Sequence, residues 1–306
     1  MSRSPGTDRF RAAAPAPPPP AFVDVRGERF AYLAAGPAAA PLVLCLHGFP
    51  DHAPSMWPLV VRFASAGYRA VAPWLRGYAP STLAGPYDAD QLAADAIGLA
   101  DALSAPGAPV RIVGHDWGAV ATYAALAAAP GRFAAAVALS VPHPLAFFAN
   151  LRRYPGQLVR SRYMLYFQLP HLPERALERS DGALVDRLWR AWSPGYALPP
   201  DSRRALLACL RASSPAPIAY YRALARPLPA AIARARRLAA RPIADPVLYL
   251  HGADDGCIAP DVAAGQRQWF RGPLRSQVIP DAGHFLPLEA TDTVADAALA
   301  WFTTAR

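Results

Sequence analysis

The chain has 306 residues, of which 53% are hydrophobic, so it is long enough to bury a large core in one domain, or in a domain with an insertion. All 31 basic residues are arginine, and they are scattered along a sequence rich in alanine and proline, so the net charge of +9 does not form one basic patch. We therefore expect no nucleic-acid partner, and no apolar run approaches the ~20 residues of a membrane span.

The first 20 residues contain proline and arginine but no apolar segment of the kind found in a secretory signal. We expect residues 1–20 to form a disordered, Pro-rich tail and the protein to remain in the cytoplasm. The three cysteines are odd in number and lack the paired spacing of disulfides or metal ligands. They are expected to be small buried hydrophobic residues, namely Cys45, Cys209 and Cys257.

Short apolar runs, each closed by a turn, alternate with stretches of helical spacing in the first half of the chain. This alternation predicts βαβ units and a mostly parallel sheet. The predicted strands are at 22–25, 29–33, 42–46, 69–73, 110–113 and 134–140, and the predicted helices are at 56–66, 89–105 and 120–129. The run 42–46 is apolar throughout, which is typical of a strand buried on both faces.

Strand signals are lacking between residues 145 and 241, where the spacing of apolar residues predicts helices instead. The later elements are expected to be helices at 152–168, 173–192, 203–212 and 217–241, strands at 247–252 and 275–279, and a last helix at 292–302. We therefore predict a core domain made of residues 21–144 and 242–306, with a helical cap inserted at 145–241.

The stretch from Gly114 to Ala119 follows a predicted buried strand and precedes a predicted helix, with small residues flanking one reactive side chain, Asp116. This layout is that of a nucleophile elbow. A carboxylate in the reactive position attacks sp3 carbon and leaves an ester that must then be hydrolysed. On this stretch alone, capping of the helix by Asp116 is an equally good interpretation. The choice depends on partners elsewhere in the chain.

Two further polar stretches follow later strands. The first, Gly252 to Gly256, contains Asp254 and Asp255, and the second contains His284. A nucleophile, an acid and a histidine in this order, each at the carboxyl end of a strand, are typical of the α/β-hydrolase arrangement. His284 is expected to activate water, while a carboxylate on its other ring nitrogen fixes its tautomer. We prefer Asp255 for that carboxylate, with Asp254 as the alternative.

Backbone amides are the expected donors to the oxyanion. Trp117 directly follows Asp116 at the start of a helix, and Phe49 lies in the turn after the strand 42–46. The positive end of the same helix also favours the ionised form of Asp116, which a nucleophile requires.

Five motifs together resemble those of the α/β-hydrolase-fold epoxide hydrolases and their haloalkane dehalogenase relatives. They are His47-Gly48-Phe49-Pro50, Arg76-Gly77-Tyr78, Gly114-His115-Asp116-Trp117-Gly118, Gly252-Ala253-Asp254-Asp255 and Gly283-His284-Phe285. The resemblance covers roughly residues 22–304. It implies an α/β-hydrolase fold with a helical cap, and hydrolysis through an ester of Asp116 without a cofactor or a metal ion.

Residues of the cap distinguish the epoxide hydrolases from the dehalogenases in this group. For an epoxide hydrolase, the resemblance implies two cap tyrosines that protonate the opening epoxide oxygen, because a strained ether is a poor leaving group without a proton. Tyr163 begins a stretch that resembles the first such segment. Tyr221 precedes Arg222 in a Tyr-Arg pair that resembles the second, and the adjacent Tyr220 is left open as the alternative.

The predicted function is hydrolysis of a small apolar epoxide by water to a vicinal diol. The alternative is a haloalkane dehalogenase acting on a neutral halide with Trp117 as a halide donor, but the Asn found after His-Gly in many such enzymes is Phe49 here. Fluoroacetate dehalogenases carry Arg at the position of Trp117, so Trp117 argues against a substrate that bears a carboxylate. A third hypothesis is a non-enzymatic protein whose basic surface binds a partner. Candidate partners of the enzyme are its substrate, water and a second copy of the chain.

Overall fold

The computed structural model describes residues 15–179 and 181–304, and the strands of this part of the chain form a single sheet. The strands are β1 Ala21–Val25, β2 Glu28–Ala35, β3 Leu42–Leu46, β4 Arg69–Pro73, β5 Val110–His115, β6 Phe133–Leu139, β7 Val247–Gly252 and β8 Leu274–Ile279. They lie across the sheet in the order β1-β2-β4-β3-β5-β6-β7-β8. The pairs β1–β2 and β2–β4 are antiparallel and all others are parallel, which confirms the predicted mostly parallel sheet.

The centre of the sheet is fully buried. Every residue of β3, β5 and β7 is buried, as expected for strands covered by helices on both faces. The edge strand β8 has several exposed positions. Since β3, β5, β7 and β8 run parallel, their carboxyl ends meet at one edge of the sheet. The motifs that follow these strands are therefore brought together there.

Helices cover the sheet and fill the connection between β6 and β7. In chain order they are α1 Trp57–Ser65, α2 Ala89–Leu103, α3 Trp117–Ala128, α4 Pro144–Asn150, α5 Gly156–Arg160, α6 Arg162–Tyr166, α7 Leu172–Arg179, α8 Ala183–Trp192, α9 Pro200–Ser213, α10 Ala216–Ala225, α11 Leu228–Ala240, α12 Leu286–Glu289 and α13 Thr291–Thr304. Short 3-10 helices lie at Ala53–Met56, Pro260–Ala263 and Gln266–Trp269.

The segment between β6 and β7 contains more helices than the sequence pattern predicts, and most of them are shorter, α9 being longer than expected. The helix expected at 152–168 is two short helices that begin only after Pro155, and α4 was not predicted at all. The helix expected at 173–192 is interrupted before Gly182, which has a left-handed φ of 83°. The helix expected at 217–241 breaks at Arg226, whose backbone is extended. The reason is local, because a residue before proline is disfavoured in a helix and glycine readily leaves it.

Pro15 and two arginines of α11 contact α1 and the start of α2. Residues 1–14 of the predicted tail lie outside the described residues, while 15–20 have neither helix nor strand. The carbonyl of Pro15 accepts a hydrogen bond of 2.6 Å from the Trp57 indole. Two arginines of α11, Arg234 and Arg237, form ion pairs with acidic residues at the start of α2. Across the residues the structure describes, no helix combines the length and the apolar character needed to cross a membrane.

Candidate active site

Asp116 occupies the sharp turn between β5 and α3. Its φ is 51°, which is unusual for a residue other than glycine and requires support from its surroundings. A β-carbon at Gly114 would collide with the Gly118 carbonyl, and one at Gly118 would collide with the Leu46 carbonyl of β3. A β-carbon at Gly48 would collide with the Asp116 side chain itself. The small residues around Asp116 are therefore required by the close approach of three backbone segments.

The Asp116 carboxylate is buried, with 6% of the residue exposed, and its two oxygens face different groups. Oδ1 accepts a hydrogen bond of 2.7 Å from the backbone N–H of Phe49. Oδ2 lies 3.5 Å from Nε2 of His284. The Trp117 amide is the first of α3, and the first amides of a helix have no partner within it. Of the two amides predicted to hold the oxyanion, that of Phe49 contacts the Asp116 carboxylate and that of Trp117 directly follows Asp116 in the chain.

His284 follows β8 and forms a hydrogen-bonded pair with Asp255, which follows β7. The distance from Nδ1 of His284 to Oδ2 of Asp255 is 2.8 Å, and both side chains are fully buried. Oδ1 of Asp255 accepts hydrogen bonds from the backbone N–H groups of Cys257 and Ile258, at 2.7 and 2.9 Å. Asp254 is exposed. The geometry therefore supports Asp255 rather than Asp254 as the partner of His284.

The charges around His284 and Asp255 shift the pKa values of these two residues in opposite directions. Burial disfavours protonation of His284, but the negative charges of Asp255 and Asp116 outweigh it and raise the pKa of His284 to about 10. Burial likewise opposes ionisation of Asp255, but the His284 charge outweighs it and lowers the pKa of Asp255. The surrounding negative charge thus favours the protonated form of His284.

The raised pKa of His284 predicts a pH dependence of the folding stability. Its ordinary pKa is 6.5 and its pKa in the folded protein is about 10, so the folded state holds the proton more tightly. The stability that His284 contributes is fully present below pH 6.5 and is lost as the pH rises through 10. In urea denaturation, we expect the free energy of unfolding to fall more steeply over this range in the parent protein than in His284→Gln. Equal pH slopes for the two proteins would contradict the assigned ion pairs.

The backbone of the His284 loop is held by Ser193, which the sequence motifs do not include, and by His115, which they do. The hydroxyl of Ser193, at the end of α8, accepts hydrogen bonds from the N–H groups of His284 and Phe285, at 2.9 and 3.2 Å, and donates one of 2.5 Å to Glu289. Nε2 of His115 lies 2.8 Å from the His284 carbonyl. Burial lowers the pKa of His115 to about 4, so it is neutral there. The helical segment between β6 and β7 thus helps to fix the histidine.

The two predicted cap tyrosines pack edge to face and line the same cavity as Asp116. The ring centroids of Tyr163 and Tyr221 are 5.6 Å apart, and the Tyr221 ring is 5.1 Å from that of Trp117. The buried hydroxyl of Tyr221 lies near the side chains of Trp117 and Tyr163, whereas the hydroxyl of Tyr220 donates to the Arg76 carbonyl. The structure therefore supports Tyr221 rather than Tyr220. Burial raises the pKa of the Tyr163 and Tyr221 hydroxyls well above the usual range, so both are protonated.

Asp116 and both tyrosines line one small, mostly apolar cavity. Its empty volume is about 540 Å³, including the part open to solvent. The lining comes from the core and from α4, α6 and α10, and consists of Asp116, Trp117, Val120, Val141, Pro144, Phe147, Phe148, Tyr163, Met164, Tyr221, Leu224 and Ile258. A carboxylate and two hydroxyl groups in an otherwise apolar cavity fit an uncharged organic molecule that carries one polar reactive group.

Comparison with known proteins gives consistent results. Residues 41–291 match the family described as the alpha/beta hydrolase fold. The chain is 30% identical to Epoxide hydrolase 4 of Mus musculus, an alignment that covers 93% of this chain and 82% of that protein. It is also 30% identical to Epoxide hydrolase A of Mycobacterium tuberculosis, over 92% of this chain and 96% of that protein. The crystal structure of Epoxide hydrolase A from Mycobacterium thermoresistibile is similar, with a TM-score of 0.75 and 26% identity over 92% of this chain and 97% of that one.

Proposed function

The chain belongs to the epoxide hydrolases of the α/β-hydrolase fold, and we propose that it opens an epoxide through a covalent ester of Asp116 and releases a vicinal diol. The observation that carries this proposal is the composition of the cavity. A carboxylate backed by an Asp–His pair faces two protonated tyrosines in the same small space. Epoxide opening needs both a nucleophile for carbon and an acid for oxygen.

In the first step, Oδ2 of Asp116 attacks an epoxide carbon while Oδ1 stays bound to the Phe49 amide. The bond between that carbon and the epoxide oxygen breaks. The oxygen takes a proton from Tyr163 or Tyr221, which leaves a glycol monoester of Asp116 and a tyrosinate. Because α6 and α10 of the segment 145–241 supply the two tyrosines, we propose that this segment is the cap of the active site.

In the second step, His284 activates the water that hydrolyses the ester. Alkylation removes the negative charge of Asp116, one of the two carboxylates that raise the pKa of His284, so the imidazolium releases its proton to the tyrosinate more readily. The neutral imidazole, oriented by Asp255, then removes a proton from water as the water attacks the Asp116 carbonyl carbon. The Phe49 and Trp117 amides stabilise the oxyanion. Collapse of this intermediate breaks the ester bond, and the proton of the newly added hydroxyl passes to the departing glycol oxygen, which releases the diol and restores the carboxylate.

The tyrosine assignment is tested with two adjacent residues of α10. We expect Tyr221→Phe to slow formation of the ester about 10- to 100-fold, because a general acid contributes about 10² to 10⁴ and Tyr163 can still supply a proton. Tyr220→Phe is the matched control, since the Tyr220 hydroxyl is bound to a backbone carbonyl outside the cavity. Single-turnover kinetics with a small epoxide give the rate. A larger loss in Tyr220→Phe than in Tyr221→Phe would reverse the assignment.

The same two hydroxyl groups separate this function from dehalogenation. A halide leaves as a stable anion and needs no proton, so cap acids beside the nucleophile favour an epoxide. Purified protein is expected to form diol from a neutral aliphatic or aryl epoxide. Release of halide from an alkyl halide, without diol from any of several epoxides, would contradict the proposal.

A further inference from the structure

A buried thiol lies beside the first of the two proposed acids. Sγ of Cys257 is 3.6 Å from the Tyr163 hydroxyl oxygen, which is within hydrogen-bonding distance for sulfur. Cys257 is fully buried, and among the described residues the cavity is lined by Tyr163 and Ile258 but not by Cys257. The thiol is therefore placed to act on Tyr163 rather than to touch the substrate.

The position of this thiol is fixed independently of Tyr163. The Cys257 N–H donates to Oδ1 of Asp255 at 2.7 Å, and the Cys257 carbonyl accepts from Nε2 of Gln157 at 2.8 Å. Oε1 of Gln157 in turn accepts from the N–H of Ala259 at 2.9 Å. The loop after β7 and helix α5 thus hold Cys257 from both sides. Cys257 and Asp255 therefore lie in the same fixed loop.

The contact allows a hydrogen bond in either direction, since the thiol and the hydroxyl both carry a proton. Burial, together with the charges of Asp255 and Asp116, raises the pKa of the Cys257 thiol well above its usual range, so it keeps its proton. If the Tyr163 hydroxyl donated to sulfur, its proton would point away from the epoxide and toward a weak acceptor. After proton transfer, Tyr163 is a phenolate in a site with few donors. The thiol is one donor next to it, and the Tyr221 hydroxyl is another.

We propose that the Cys257 thiol donates a hydrogen bond to the Tyr163 oxygen, which directs the Tyr163 proton toward the epoxide and stabilises the phenolate left after its transfer. Cys257 is then a positioning residue for the first step. The epoxide carbon–oxygen bond breaks, the Tyr163 proton moves to the epoxide oxygen, and the thiol proton remains on sulfur throughout. This inference rests on the proposed role of Tyr163 as an acid.

The two chemical steps respond differently to this hydrogen bond. We expect Cys257→Ala to slow formation of the Asp116 ester about fivefold, the effect of losing one ordinary hydrogen bond, and to leave the rate of ester hydrolysis unchanged. Cys257→Ser, which keeps a donor, is expected to restore ester formation to within about twofold of the parent rate. Rapid-quench kinetics with a small epoxide resolve the two rates. A purely structural role would instead disturb Asp255 and slow hydrolysis as well.

A double-mutant cycle with Tyr163→Phe completes the test. Once the Tyr163 hydroxyl is absent, adding Cys257→Ala is expected to have no further effect on ester formation. Cys209→Ala is the matched control, because that thiol bonds to the Ala79 carbonyl and should leave both rates unchanged. An unchanged rate in Cys257→Ala, equal slowing of both steps, or a fivefold loss that persists beside Tyr163→Phe would overturn the inference. No effect of Tyr163→Phe alone would instead contradict the proposed function.

Discussion

Replacing Asp116 by alanine is expected to lower epoxide turnover by at least about 10⁴-fold, because it removes the only atom in the proposed reaction that bonds to the substrate carbon. The remaining groups still bind and polarise an epoxide, but they do not attack it. Steady-state diol formation measures the loss. The folded state should persist, since the carboxylate contacts few groups among the described residues, namely the Phe49 amide and His284.

Asp254→Ala is the matched control for this result. Asp254 is also an aspartate next to the site in sequence, but it is exposed and outside the cavity. Its replacement should change turnover by less than about twofold, as expected for a surface position. Comparable turnover in Asp116→Ala and the parent protein would contradict the role of Asp116 as a nucleophile and leave it only at the start of a helix.

Replacing His284 by glutamine is expected to separate the two steps. Asp116 can still be alkylated, but hydrolysis of the ester should slow by about 10³-fold or more, because no general base remains to activate water. The enzyme should consume about one equivalent of epoxide and then stop. Intact-protein mass spectrometry should show an increase equal to the mass of the substrate, located on the peptide that contains Asp116.

Two outcomes without this adduct would contradict the proposed role of His284. A His284→Gln protein that forms diol at the parent rate would exclude His284 as the base. A protein that forms neither diol nor adduct, although it is folded, would show that His284 is needed before the ester exists. The proposed order of steps would then be wrong.

The fold and the order of the motifs are predictable from sequence because they depend on local patterns. Apolar runs such as 42–46 predict buried strands, and the parallel sheet brings the ends of these strands to one edge. For this reason Asp116, Asp255 and His284, far apart in the chain, are predicted to lie together, and the structure brings them together. The predicted fold class is confirmed by the strand order and the family match.

Contacts that depend on the packing of helices against the core are not predictable in this way. Ser193 holds the His284 loop from 91 positions away, and no spacing rule links it to the motif Gly283-His284-Phe285. The adjacent Trp192 indicates only an apolar face of α8 and gives no sign of the contact that Ser193 makes. The same applies to Cys257, which as one cysteine of three reads simply as a small buried residue, although it contacts Tyr163.

The choice between Tyr220 and Tyr221 also required the structure. Adjacent residues on a helix point about 100° apart, so the two hydroxyl groups reach different surroundings although both rings contact Trp117. Sequence alone does not give the rotation of α10 about its axis. In the structure, Tyr220 stacks on Tyr87 and bonds to Arg76, whereas Tyr221 faces Phe49 and the cavity.

The ester of Asp116 is the central claim, and a single turnover in ¹⁸O-labelled water with enzyme in excess over epoxide tests it most directly. Because water attacks the Asp116 carbonyl carbon, the first diol should carry no label, and the heavy oxygen should appear in the peptide that contains Asp116. Mass spectrometry of both products measures this distribution. Label in the diol of the first turnover, with none in Asp116, would show that water attacks the epoxide directly and would contradict the ester mechanism.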